Sequence, residues 1–80
     1  RRAEAAPLRK AIKDAEAKME RLRVELDKIE ALFHDPSIYD GAPERVTKLG
    51  KDKARFTAEL EALEEKWLTM SAELEEAERV

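Results

Sequence analysis

From Leu8 onward, apolar side chains recur at Leu8, Ile12, Ala15, Met19, Leu22, Leu26, Ile29 and Phe33, with steps alternating between four and three residues. This is an unbroken a/d heptad pattern, the repeat of a left-handed coiled coil. Extended backward, the same seam takes in Ala5 and Arg1. A second run follows through Val46, Leu49, Lys53, Phe56, Leu60, Leu63, Trp67, Met70, Leu74 and Ala77, with Lys53 its one polar member. Ala, Glu, Lys, Arg and Leu dominate the positions between, and these are strong helix formers. The pattern therefore predicts two long amphipathic helices.

The stretch His34-Asp35-Pro36-Ser37-Ile38-Tyr39-Asp40-Gly41-Ala42-Pro43 interrupts the two runs. Pro36 lacks an amide donor and would cost a helix interior about 3 kcal/mol. Asp35 before it is placed to cap a single helical turn through Tyr39. Asp40-Gly41 reads as a turn in which glycine supplies a positive φ. Pro43 suits the first position of a new helix, and Glu44 suits its first turn. Ile38 and Tyr39 are expected to fold back over Phe33 and Val46 and close the apolar seam.

So short a connection favours antiparallel neighbours. The expected fold is all-α: an antiparallel two-helix coiled-coil hairpin with a short capped turn at its tip. It forms one domain over residues 1–80, with helix one at about 7–34, the tip loop at 35–42 and helix two at about 43–78. The expected core comprises Ile12, Met19, Leu22, Leu26, Ile29, Phe33, Tyr39, Leu49, Phe56, Leu60, Leu63 and Trp67.

Charge signs select a register. If the residue numbers of facing partners total 75, Ile29 meets Val46, Leu26 meets Leu49 and Leu8 meets Trp67. The flanking pairs Lys18–Glu59 and Arg9–Glu64 then attract, and only Glu25–Asp52 repels. A slip of one heptad, to a total of 82, sets Lys18 against Lys66, Glu25 against Glu59 and Glu16 against Glu64, all repulsive. Each exposed pair is worth only about 0.2–1 kcal/mol, but the signs agree on the first register.

Composition narrows the function. Charged residues make up 44% and aromatics 5%, so an elongated helical structure fits better than a compact core. The net charge of −3 conceals a gradient. Residues 56–80 hold eight glutamates against Lys66 and Arg79, whereas residues 45–55 hold Arg45, Lys48, Lys51, Lys53 and Arg55 against Asp52 alone. Lys48, Lys51 and Arg55 fall at outward c and f positions, and Arg21 and Lys28 fall at c on the other helix. Such cations are what phosphate contact requires. The alternative is a merely solvated face: the chain is acidic overall, and no aromatics interleave with these cations to stack on bases.

Other chemistry is not encoded. There is no Walker A loop, no metal-spaced His or Cys cluster and no Ser-His-Asp set, so neither catalytic nor metal-binding residues are assigned. His34, the single histidine, is expected to complement a helix C-terminus. Trp67 reads as core, and Lys53 as a register-setting residue that snorkels outward. Cysteine is absent, which suits the cytosol. No apolar run approaches the roughly 20 residues that span a bilayer, and no signal peptide is visible. The chain starts at Arg1 rather than Met, as expected of a piece of a longer protein.

Three segments carry a resemblance: Ala6-Pro7-Leu8-Arg9-Lys10, Asp35-Pro36-Ser37-Ile38-Tyr39 at the break, and Glu64-Glu65-Lys66-Trp67-Leu68 in the second run. With its heptads, its Asp-Pro-x-x-Tyr turn and its Trp, the chain resembles the C-terminal coiled-coil domain of ABC-F ATPases, in particular the Uup-like branch. The match spans nearly all 80 residues. It departs at Phe33-His34, where the family often has Leu-Ala, and at Ile38 in place of Leu.

The resemblance implies a cytoplasmic parent with two ATP-binding cassettes in tandem and no membrane domain. Such proteins act on ribosomes or nucleic acid, DNA for the Uup branch, and the hairpin is their accessory arm. The arm itself needs no cofactor, while the parent uses ATP and Mg. Contact with the parent's own ATPase domains, or self-association through Val24, Leu32 and Leu68, are further expectations. The competing reading is a structural or protein-interaction coiled coil with no nucleic-acid contact.

Overall fold

The computed structural model describes residues 2–79 and the side chains of residues 5–79. Helix α1 spans Arg2–Phe33, a 3-10 tip turn spans Pro36–Asp40, and helix α2 spans Pro43–Glu78. The two helices pack side by side in a rod of 60 × 14 × 14 Å. The length follows from the helical rise, since about 1.5 Å per residue carries the 36 residues of α2 over about 54 Å. Among the described residues there is no strand.

The heptad seam is the core. Every a and d residue from Leu8 to Phe33 and from Val46 to Ala77 is buried or half-buried, except Lys53. The most enclosed members are Ala5, Ala15, Met19, Leu22, Ile29 and Met70, joined by Ile38 from the tip. Arg1, expected on the seam, lies outside the described residues.

Helix α1 begins five residues before Pro7, which stands inside it. A proline so close to the start removes only one early backbone bond. Ala5, one heptad before Ile12, is fully covered.

The tip is built largely as its residues dictate. The Asp35 carboxylate accepts from the Ser37 amide at 3.0 Å and from the Ser37 hydroxyl at 2.9 Å, capping the 3-10 turn. Those bonds, the amide first, hold the Asp35 carboxyl below the usual carboxylate range. Pro43 opens α2 with Glu44 in its first turn.

Two expectations at the tip are corrected. Tyr39 is not core: it is 58% exposed. Its phenol donates to the Phe33 carbonyl at 2.9 Å, satisfying one of the acceptors that every helix end leaves open, and that bond keeps the ring on the surface. Gly41 has φ −94°, not a positive value, and a Cβ there would meet nothing within 4 Å. The turn closes by the 3-10 bonding of Pro36–Asp40, so no left-handed residue is needed.

The register is also corrected. Lys53 reaches Glu30 at 3.2 Å, the Trp67 indole reaches Glu16 at 3.1 Å, and Lys18 and Lys66 border one groove, so facing seam residue numbers total 82 rather than 75. The helices take the one-heptad slip that the charge signs disfavour. Trp67 therefore stands near Glu16 and not opposite Leu8. The cause lies in the tip. Its 3-10 turn separates the two helices, and the total of 82 sets Pro43 six residue positions beyond Phe33, the end of α1. This leaves Ile38 only 2% exposed. Burying one such side chain is worth about 1.5–3 kcal/mol, more than the exposed charge pairs of either register supply.

Candidate nucleic-acid interface

The antiparallel seam gives the hairpin two flanks, one bordered by e positions of both helices and one by g positions. The e flank carries the ties between the helices. Arg9 meets Glu78 at 2.7 Å, Arg23 meets Glu64 at 3.5 Å, and Glu16 and Glu30 take Trp67 and Lys53. The Lys53 ammonium also lies 5.9 Å from the centre of the Phe33 ring, so its stem covers the seam while its charge stays outside. That ammonium, by hydrogen bond and then by charge, holds the Glu30 carboxyl below the usual range; His34 adds to the effect. His34, expected to complement the end of α1, directly follows it and sets its Nε2 3.1 Å from Glu30.

The g flank looks different. Ala11, Asp14, Ala15, Lys18, Leu63, Lys66 and Met70 line a shallow groove of about 290 Å³ there. It brings the like charges Lys18 and Lys66 to one place. The c positions border this flank, so Arg21 and Lys28 of α1 lie on the same side as Lys48 and Arg55 of α2. Four of the five expected phosphate-contacting cations thus share one side of the rod. The fifth, Lys51, sits at f. It joins Lys48, Pro43, Glu44 and Thr47 around a shallow depression of about 410 Å³ at the start of α2.

The cations differ in how far they are engaged. Asp52 accepts a hydrogen bond from Lys48, at 2.8 Å, and pairs by charge with Arg55, at 3.8 Å. The Lys48 bond is the main reason its carboxyl lies below the usual range. The Arg55 guanidinium also stands 4.8 Å from the centre of the Phe56 ring. Lys28 is held by Glu25 at 3.3 Å. Among the described residues, Arg21 and Lys51 have no ion-pair partner.

The Asp52 clamp had a signal in the sequence, since Lys48 and Asp52 are four residues apart and share a helix face. The tie from Trp67 to Glu16 had none, because it depends on the register.

Among the described residues, no three or more His, Cys, Asp or Glu side chains are grouped to hold a metal ion. No described helix is long and apolar enough to cross a membrane. What this arrangement offers chemically is a rigid surface with exchangeable cations toward its tip. A model of the ABC transporter C-terminal domain family matches residues 7–72. No curated protein and no solved structure matches the chain.

Proposed function

Because the chain belongs to the ABC transporter C-terminal domain family, we propose that it is the accessory arm of a cytoplasmic ABC-F ATPase, of the Uup-like kind, whose tip half contacts nucleic acid or the ribosome. The parent's cassettes, with ATP and Mg, would supply the hydrolysis; the arm would supply a rigid surface.

The observation that carries this reading is the state of the five cations. Arg21 and Lys51 have no acidic partner, and Lys28, Lys48 and Arg55 are held only by exposed or half-exposed carboxylates of their own helix. Such pairs are worth little in water, so a phosphate can replace the carboxylate at small cost. Lys48, Lys51 and Arg55 also lie before the glutamates of residues 56–80 along α2, whose field repels a polyanion, whereas Arg21 stands level with Glu61.

A second reading, a structural or protein-contacting coiled coil, is favoured by Asp52, whose one carboxylate already engages two of the five cations.

Binding to duplex DNA and to ribosomal RNA across a salt series separates the two. The triple variant Lys48→Glu, Lys51→Glu, Arg55→Glu should keep its helicity. It should lose affinity, and its salt slope should flatten by about 0.9 for each lost duplex-phosphate contact. Equal affinities and slopes for variant and wild type would overturn the nucleic-acid reading.

A further inference from the structure

The e flank carries an apolar feature that phosphate contact does not use. Beside Trp67, a groove of about 470 Å³ is lined by Met19, Trp67 and Leu68. Leu68 is 62% exposed, the most exposed large apolar side chain among the described residues. The Trp67 indole is half-buried and fixed by its bond to Glu16, so it presents a preset wall. The rim carries Glu16, Glu20 and Glu64 against Arg23 alone. Trp, Met and Arg are the residue types enriched at the centres of protein interfaces.

Charge complementarity identifies the occupant. The rim is net negative. Arg23 is turned to Glu64 and Glu16 to the indole, while among the described residues Glu20 has no ion-pair partner. A second copy docking by two-fold symmetry would bring acidic rim against acidic rim, since an isologous interface pairs a patch with itself. We infer that the groove is a docking site for a helical segment of another polypeptide that inserts an apolar side chain between Trp67 and Leu68 and sets Lys or Arg against Glu20. This is independent of the nucleic-acid reading: it uses the other flank and other residues.

The chain's single tryptophan is the reporter. The probe is a synthetic amphipathic helix of Leu and Lys, roughly four turns long. The control is the same apolar pattern with Glu in place of Lys. The Lys peptide should shift Trp67 emission to the blue, saturably and less at high salt; the Glu peptide should not. Leu68→Lys and Glu20→Lys alter exposed positions and should keep the far-ultraviolet dichroism of the wild type. Each should weaken the Lys peptide by about tenfold, a loss of about 1.4 kcal/mol. The inference is overturned if neither peptide binds, if both bind alike, or if both variants bind as tightly as wild type. It is also overturned if sedimentation shows wild-type dimers that Leu68→Lys abolishes, because the occupant would then be a second copy.

Discussion

One flank of this hairpin is stitched and the other is not. Along the e flank four side-chain ties cross between the helices, from Arg9–Glu78 at the base to Lys53–Glu30 near the tip. Along the g flank, among the described residues, no ion pair crosses, and Lys18 and Lys66 border the same groove. Exposed pairs are individually too weak to set the alignment of two long helices. The tip sets it, by burying Ile38, and the flanks then make what pairs they can: favourable on one side, unfavourable on the other.

The change with the largest expected effect attacks what sets the alignment. Ile38→Ala should destabilise the hairpin by about 2–4 kcal/mol, as for a buried aliphatic residue cut to alanine. Urea unfolding measures it, and an unchanged midpoint would mean that the tip does not fix the register. Next is the best-packed tie of the stitched flank. Trp67→Ala should cost about 2–3 kcal/mol, less than for a fully buried ring because this one is half-exposed. Trp67→Phe, which loses the bond to Glu16 but keeps most of the ring, should cost about 1 kcal/mol or less. Equal losses for the two variants would place all of the effect in the hydrogen bond.

Smaller changes should improve the protein. Gly50 is a gap at an e position of α2, and a Cβ there meets nothing within 4 Å. Gly50→Ala should add about 0.5–1 kcal/mol, read as a higher melting temperature. On the unstitched flank, Lys66→Glu should replace a repulsion across the groove with an attraction to Lys18 and gain about 0.2–1 kcal/mol. The same change at Lys13, an exposed residue away from both grooves, is the control and should gain less.

Acid should weaken the stitched flank and the tip. Glu30 and Asp35 titrate lower in the folded chain than their ordinary values, through Lys53 and Ser37 respectively. The stability they contribute is complete above the ordinary carboxylate pKa of about 4 and is lost as pH falls through the lower folded values. A melting series downward from about pH 5 should therefore decline, and the decline should be shallower in Asp35→Asn. A series without slope would show that neither bond contributes in solution.

Much of this architecture is legible in the residues, and the parts that are not share a cause. The seam is repeated in each heptad, so chance matches cannot imitate it, and all but one of its a and d positions are sheltered. The tip residues Asp35, Pro36 and Pro43 act locally and do what their backbone chemistry dictates. The register, the partner of Trp67 and the exposure of Tyr39 are not local. Each depends on how far the tip turn lifts the start of α2, and no heptad pattern carries that length. The cations at Arg21, Lys28, Lys48, Lys51 and Arg55 are legible as outward positions. Their engagement by Asp52 and Glu25 shows only when the side chains are placed.

The tip also sets an order of assembly. Its bond from Tyr39 to Phe33 closes a loop of 6 residues, whereas Arg9 and Glu78, at the base, are 69 apart. Closing a loop costs more chain entropy as it lengthens, by about 0.6 kcal/mol per doubling. The hairpin should therefore zip from the tip toward the base and open in the reverse direction. Amide protons around Ile29 and Leu49 should then outlast those around Leu8 and Leu74 in hydrogen exchange. The cations of the tip half are thus carried on the part of the rod that forms first and opens last.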